Sequence, residues 1–337
     1  MTYIRGESMH KESFIKGVEK LINPIEVSNI HFIQYFNKFI PKTIQKKMAL
    51  SSSKTTPYMG FVIDPYSTFL FYEIKDLEFA KSFLPDNFEL EKIKVFEEDE
   101  PKYMCIFGCT NAHTSGFIGS RIESYIVAKN LENNMTSWII ADYDTNTITY
   151  DPKDIFRDPN VKDSVITIDY DGVIYVDMTN DDKRSLIFNV DISNSRFSKL
   201  DEKLWIDGNL SIGYGKNKSV DDPGIFSLIF NDSEFEKALD VDLKDVNIIK
   251  NNWFDGLFYD TPTKVVCFPY AQHFLSDSPG GCSNIRCKND LNKVYNNIDF
   301  NKICSFSTEN IKKMFLIITI LLGISLVINM IFLFIIF

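Results

Sequence analysis

Histidine and cysteine are scarce in this sequence, which has 4 His and 6 Cys among 337 residues. So few cysteines do not make a disulfide scaffold for a chain of this length. The close pairs Cys105/Cys109 and Cys282/Cys287 lack the CxxC spacing that is typical of zinc ligands, and few histidines are present to complete a site. We therefore expect no metal ion.

The common motifs for phosphate, dinucleotide and serine-hydrolase chemistry are also missing. The sequence contains no P-loop, no GxGxxG and no GxSxG, so we expect no cofactor. The net charge is −10, and no stretch provides a basic stripe for phosphates. Nucleic acid is accordingly not expected as a partner.

A secretory signal is not evident, because the first residues, MTYIRGESMHKESF, include neither an apolar core nor a cleavage site. Residues 314–337, in contrast, carry no charge and exceed the roughly 20 apolar residues that span a bilayer. Lys312 and Lys313 precede them, which favours a cytosolic location for the preceding chain by the positive-inside rule. We expect a single-pass membrane protein with a C-terminal anchor and a main domain that faces the cytosol. The alternative is a buried core helix.

The rest of the chain divides into three parts. Residues 1–56 show helical spacing of apolar residues, with a second, Lys-rich run near the end. Residues 57–275 contain many short strand patterns with few helices between them, which indicates antiparallel sheets. Residues 276–313 are polar and predict a tether to the membrane.

Three local signals within the strand-rich part are specific. Asp76 is expected to cap a short helix, Leu77 to Phe83. Asp171-Gly172, between two strand-like runs, predicts a tight hairpin. Ser233 and Glu236 form a capping-box pattern that predicts another short helix.

The segment that most suggests chemistry runs from Ala112 to Tyr125 and includes His113-Thr114-Ser115-Gly116. In a strand after that glycine, Arg121, Glu123 and Tyr125 share one face. If that face lines a cavity, Glu123 can act in acid–base chemistry or orient a ligand. If it points outward, Arg121 and Glu123 form a solvated ion pair. Geometry alone leaves both interpretations open.

The order of motifs around this strand resembles the acetoacetate decarboxylase family over roughly residues 58–239. A short helix leads into Leu84-Pro85-Asp86-Asn87-Phe88-Glu89, and a strand then leads into the Thr114-Ser115-Gly116 loop and the strand that carries Glu123. The resemblance implies a mixed, β-rich α+β fold. Its antiparallel sheets would surround a closed, cone-like β-barrel with an apolar interior cavity.

Members of that family use a lysine that forms a Schiff base with a β-keto acid, and the iminium accepts the electron pair released with carbon dioxide. The matching segment is Tyr150-Asp151-Pro152-Lys153-Asp154, so Lys153 is the candidate nucleophile and Glu123 the second candidate catalytic residue. The resemblance also implies three ligand-binding residues, Arg121, Ser115 and Tyr125. Asp154 stands where the family has a second lysine, and nearby carboxylates favour the charged, non-nucleophilic form of Lys153.

Two further segments stand out without a mechanism. The run from Trp205 to Gly215 has a glycine spacing that would allow close approach to the backbone. Cys267 and His273 lie among apolar residues and are conceivable as a nucleophile and its base, although no oxyanion-hole signal accompanies them.

We therefore expect a membrane-anchored protein, similar to acetoacetate decarboxylase, that binds a small keto-acid or apolar ligand. Conversion of that ligand by a lyase, through a Schiff base, is left open. One alternative is a non-catalytic module that binds a lipid or a hydrophobic metabolite, and another is a membrane tether or adaptor. The sequence also leaves a homo-oligomer open.

Overall fold

The computed structural model describes residues 3–22, 39, 41, 59–114, 118–147, 159–216, 225–276, 285, 287–299 and 309–336. The described residues contain four α-helices: α1 (Tyr3–Leu21), α2 (Leu77–Lys81), α3 (Lys288–Asn297) and α4 (Glu309–Ile336). They also contain sixteen strands: β1 (Met59–Ile63), β2 (Ser67–Glu73), β3 (Phe88–Leu90), β4 (Met104–Thr114), β5 (Ile118–Asn130), β6 (Thr136–Thr145), β7 (Val161–Ile168), β8 (Val173–Asn180), β9 (Ser185–Asp191), β10 (Arg196–Lys199), β11 (Ile212–Tyr214), β12 (Leu228–Phe230), β13 (Lys237–Val241), β14 (Val246–Asn251), β15 (Lys264–Phe268) and β16 (Gln272–Ser276).

Twelve of these strands form one sheet around the long strands β4 and β5. Strand β4 pairs with β2 and β1 along one edge and with β5 along the other, and β5 then pairs with β6. From β2 the sheet continues through β15 and β13 to β10, and from β1 it continues through β16 to β12. These ladders are antiparallel, whereas β11 joins β6 in parallel. The expected β-rich α+β fold with antiparallel sheets is confirmed.

The ladders of the large sheet form a branched path, and no closed barrel is found among the described residues. The closed, cone-like barrel therefore stays a prediction. One isolated bridge, between Ile212 and Phe226, links β11 to the residues just before β12. The N–H group of Phe226 donates to the Ile212 carbonyl at 2.9 Å, and the Ile212 N–H donates back at 3.0 Å.

The remaining four strands form a smaller antiparallel sheet in the order β14-β9-β8-β7. The predicted hairpin at Asp171-Gly172 connects β7 to β8, and Gly172 has a φ of +90°, which favours glycine. Side chains along β8 alternate between buried and accessible positions. The small sheet therefore packs one face against the large sheet and exposes the other.

Side chains of the large sheet point alternately into two hydrophobic cores. Phe107 and Ile122 belong to the core between the two sheets, together with Phe188 of the small sheet. Ile106 and Val127, at neighbouring positions on β4 and β5, belong to a second core on the opposite side. We call this opposite side of the large sheet the inner face.

Helices α1 and α3 complete the second core. Phe14, Val18 and Leu21 recur along α1 at helical spacing and are fully buried. Gly60 in β1 permits this packing, because a Cβ there would lie 2.9 Å from the Leu21 Cβ. Leu291 of α3 is also buried, so part of the segment predicted as a polar tether is a packed helix.

The predicted helix caps are met in part. Asp76 caps α2 by accepting the N–H of Phe79 at 2.9 Å, as predicted. The predicted helix at Ser233 is instead a 3-10 turn, Asp232–Phe235, and its cap is Asn231, two residues before the Ser233 that the sequence pattern suggested. The Lys-rich second helix of the N-terminal segment lies almost wholly outside the described residues.

Helix α4 has 28 residues and contains most of the segment predicted as a membrane anchor. Its side chains are described without interruption only over residues 316–332, where all of them are exposed. Within the described part of the chain, no helix has the length and hydropathy needed to cross a membrane.

Candidate functional site

Strand β5 brings three of the predicted site residues to the inner face. Arg121, Glu123 and Tyr125 alternate with Ile122 and Ile126, which are buried between the two sheets. The side chains of Arg121 and Glu123 are only 12% and 19% exposed. The pair is therefore largely enclosed, rather than the solvated surface pair that the sequence left open.

The three side chains are directly linked. Arg121 Nε donates to Glu123 Oε1, and the Tyr125 hydroxyl donates to Glu123 Oε2. The Arg121 guanidinium also lies 4.1 Å from the centroid of the Tyr143 ring, a favourable cation–π contact. Glu123 is therefore held by two donors, and the positive charge of Arg121 balances its negative charge.

Arg121 remains charged in this environment. Burial by itself would lower its pKa, but the Glu123 carboxylate, followed by the phenols of Tyr214 and Tyr143, raises the pKa above its ordinary value. Among the described residues, Nη1 and Nη2 of Arg121 donate no hydrogen bond. These two nitrogens can therefore present a planar fork that fits a carboxylate group.

A row of four residues crosses β2, β4, β5 and β6: Phe69, Gly108, Glu123 and Tyr143 stand opposite one another. A Cβ at position 108 would lie 2.8 Å from Phe69 Cε1 and 3.4 Å from Tyr125 Cε2. The Phe69 and Tyr125 rings therefore both lie over Gly108, beside Glu123. Sequence reasoning missed Phe69, Gly108 and Tyr143, because the row exists only once the strands pair in this register.

Several apolar side chains at the margin of the second core are only partly buried. They pack against the second core, which we call the inner core, and include Phe61, Ile63, Phe69, Tyr125, Tyr214 and Phe226. Deeper in the same core, Trp205 and Phe268 are 1% and 0% exposed. Phe69 and Tyr125 are partly accessible, as are Arg121 and Glu123, so this part of the inner face borders accessible space.

Aromatic rings close the deep side of that space. The Phe69 ring centroid lies 5.3 Å from that of Trp205 and 5.7 Å from that of Phe268, both in edge-to-face geometry. Trp138 lies between Tyr125 and Trp205, with centroid separations of 4.9 Å in edge-to-face geometry and 5.4 Å in tilted geometry. Such contacts pack densely and leave little room for a further group.

The glycine-containing run after Trp205 makes the close approach that its sequence predicts. A Cβ at Gly208 would collide with the indole nitrogen of Trp138. That nitrogen donates to the Leu204 carbonyl at 2.9 Å, so the glycine lets the chain pass directly over the indole edge.

Lys153 and Ser115 lie outside the described residues, so the nucleophile and this ligand-binding residue stay predictions. The pairing of Cys267 with His273 as nucleophile and base has no support. Burial raises the pKa of the Cys267 thiol to about 12, which keeps it protonated. His273 is bound instead to Glu234, with Nδ1 3.2 Å from the carboxylate Oε1.

A second ion-pair cluster, which sequence reasoning missed, joins the two sheets. Arg184, at the β8–β9 turn, binds Asp142 and Asp144 of β6 and lies 3.7 Å from the centroid of the Trp253 ring. The sequence did contain one signal for this cluster: Asp142 and Asp144 are two residues apart, so in a strand both lie on the same face. This cluster lies on the side of β6 that faces the small sheet, away from Arg121.

The outer face of the small sheet carries a surface groove of about 390 Å³. Its lining includes Asp163, Asp177 and Asp181. In the described ranges, no group of three or more His, Cys, Asp or Glu side chains is placed to hold a metal ion.

Comparison with protein-family models finds no match, and no curated protein matches significantly. Among solved structures, the chain is similar to an acetoacetate decarboxylase from Legionella pneumophila, with 12% identity, 66% of this chain and 86% of that chain covered, and a TM-score of 0.40. It is also similar to an acetoacetate decarboxylase-like enzyme from Sphingomonas wittichii, with 8% identity, coverage of 69% and 94%, and a TM-score of 0.39. The enduracididine biosynthesis enzyme MppR, in complex with pyruvate, shows 11% identity, coverage of 66% and 87%, and a TM-score of 0.38.

Proposed function

We propose that the inner face of the large sheet binds a small molecule with a carboxylate group, such as a keto acid. The observation that carries this proposal is the largely enclosed Arg121, whose two Nη nitrogens donate no hydrogen bond among the described residues. Its Nε is already bound to Glu123, so the guanidinium is held in one orientation before a ligand arrives. A carboxylate could then accept two parallel hydrogen bonds from the fork.

Glu123 has a positioning role in this proposal. Its two oxygens accept from Arg121 and Tyr125, so it fixes both side chains at the edge of the accessible space. The ligand's carboxylate would lie against the two Nη nitrogens of Arg121, and its carbon chain would extend toward Phe69 and Tyr125. Apolar contact with those rings would add to affinity.

We also propose that the large sheet closes into a barrel around this space. Pairings connect β4 to β5, β6 and β11 in one direction, and β4 to β1, β16 and β12 in the other. The Ile212–Phe226 bridge joins the two ends of this series. Its two reciprocal hydrogen bonds support closure at that point, which would place Arg121 and Glu123 inside the barrel.

Conversion of the ligand would depend on Lys153. With a β-keto acid as the ligand, its amine would condense with the ketone to form an iminium and release water; loss of carbon dioxide would pass an electron pair to the iminium nitrogen. Protonation and hydrolysis would then restore the amine. Without a reactive Lys153, the same site would act as a binding module.

We propose, finally, that α4 anchors the domain to a membrane. Its described apolar side chains are exposed, including Leu316, Ile324 and Phe332, and exposed apolar surface of this extent favours an apolar environment. Flotation of the full chain with liposomes tests this, compared with a chain that ends before Lys312. Equal recovery of both chains in the lipid fraction would contradict the proposal.

The binding proposal is tested with pyruvate and pyruvamide, which differ only in the carboxylate. Calorimetry on the full chain in nonionic detergent should detect pyruvate and little binding of the amide. Arg121→Lys retains the charge but removes the fork, and should weaken pyruvate binding by about tenfold or more. Arg196→Lys, on the exposed edge strand β10, is the matched control and should leave binding unchanged.

Equal affinity for the acid and the amide, or an unchanged affinity in Arg121→Lys, would contradict the proposal. Borohydride treatment in the presence of a β-keto acid then separates enzyme from binding module. A reduced adduct at Lys153, found by peptide mapping and absent from Lys153→Ala, would support Schiff-base chemistry.

A further inference from the structure

Phe69 occupies a distinctive place beside Glu123. The two residues share a cross-strand row, and the residue between them is Gly108, which has no side chain. Neighbouring strands lie about 4.8 Å apart, so Phe69 and Glu123 are separated by two such spacings, about 10 Å. Phe69 is therefore the first bulky side chain on β2 that a ligand bound near Glu123 would meet.

The Phe69 ring also lies between the accessible space and the densely packed part of the inner core. Phe69 is partly accessible, whereas Trp205 and Phe268, which contact it edge to face, are almost fully buried. The ring lies over Gly108 and extends toward Tyr125. A ligand chain that grows past this point must displace aromatic rings that are packed against one another.

We infer that Phe69 sets the maximum length of the ligand. This inference rests on the proposed binding of a carboxylate at Arg121. It favours short carboxylic acids over long acyl chains, because a chain that extends toward β2 ends at the Phe69 ring and at the Trp205 and Phe268 rings behind it. The site would thus discriminate among acids by the number of carbons beyond the carboxylate.

Phe69 is a better determinant of length than Tyr125. The Tyr125 hydroxyl binds Glu123, so a change there would also disturb the polar end of the site. Phe69 has no polar group, and its replacement leaves Arg121 and Glu123 with their hydrogen bonds. An effect of Phe69 on chain length would therefore be separable from an effect on carboxylate recognition.

The test is a series of straight-chain 2-oxo acids with three to six carbons, with Kd measured by calorimetry on the full chain in nonionic detergent. Each methylene that fits should tighten binding by about fourfold, from roughly 0.8 kcal/mol per buried CH₂. Affinity in the natural protein should then fall at least tenfold at the first acid that is long enough to reach Phe69. We call this drop in affinity the break in the series. Phe69→Leu should move this break to a longer acid, and Phe69→Trp should move it to a shorter one.

Phe71→Leu is the matched control, because Phe71 lies on the same strand and face but is fully buried against Trp205. It should lower thermal stability without moving the break. An unmoved break in both Phe69 variants, an equal movement in Phe71→Leu, or a steady gain in affinity through all four acids would overturn the inference alone. Absence of binding by every acid would overturn the proposed function and this inference with it.

Discussion

Gly208→Ala provides the most direct test of how the inner core is packed. The new Cβ would collide with the Trp138 indole nitrogen, which is buried and donates to the Leu204 carbonyl. Forcing a group into a dense core costs about 1–3 kcal/mol. Displacement of the indole would also leave its N–H unpaired, which adds about 1–3 kcal/mol. We expect the free energy of unfolding to fall by about 2–6 kcal/mol.

Urea unfolding of the full chain in nonionic detergent, followed by tryptophan fluorescence, measures this loss. Gly256→Ala is the control: its φ is +83°, but nothing lies within 4 Å of the added Cβ. That variant should show only the backbone cost of a left-handed conformation, about 1–2 kcal/mol. The two variants thus separate a collision from backbone strain.

A double variant identifies the collision partner. Trp138→Phe removes the indole edge, so Gly208→Ala should cost at least about 1 kcal/mol less in that background than in the natural protein. Additive losses would show that the indole is not what the new methyl group meets. A Gly208→Ala loss no larger than that of Gly256→Ala would refute the packing described for this turn.

Three further outcomes are expected. Burial raises the pKa of Asp207 to about 6, so the folded protein holds this proton more tightly than the unfolded chain, and the free energy of unfolding should fall as pH rises from about 4 to 6. Asp207→Asn should remove this dependence on pH and stabilise the protein at pH 7.5 by about 1 kcal/mol, a value reduced because Asp207 is partly exposed. Urea unfolding at about pH 4, about pH 6 and pH 7.5 measures both effects. Arg184→Met should lower the free energy of unfolding by about 3–5 kcal/mol because it leaves Asp144 buried without its cation; an unchanged urea midpoint would contradict this. Iodoacetamide at pH 8 should modify the exposed Cys287 but not the buried Cys267 in the folded protein, as peptide mapping would show; equal labelling would contradict the burial.

Local signals in the sequence predicted local structure well. Asp76 predicted the cap of α2, and Asp171-Gly172 predicted the hairpin, because each depends on a few neighbouring residues. Alternation along β5 also predicted that Arg121, Glu123 and Tyr125 share a face. Each of these features is determined within one element, so one sequence is sufficient to predict it.

Features that depend on pairing between distant strands were not predictable in the same way. The face of β5 that carries Arg121 points away from the small sheet only because the small sheet packs on the other face. The alternation of side chains along β5 would be the same if the small sheet packed on the Arg121 face. Phe69 became part of the site only through the register of β2 on β4. The helix predicted at Ser233 is limited to a short turn, since Asn231 caps it and β13 already begins at Lys237.

The first and last strands of the large sheet are neighbours, with Met59 opposite Ser276. During synthesis, β1 emerges more than two hundred residues before its partner β16, as the sequence separation of that pair shows. Its only other partner among the described strands is the short stretch of β4 near Thr114. Contacts of such high sequence separation slow folding and leave strand edges exposed in the meantime. The growing chain should therefore need protection from aggregation until β16 is complete, and a C-terminal truncation before Gln272 should yield an aggregation-prone product rather than a smaller folded domain.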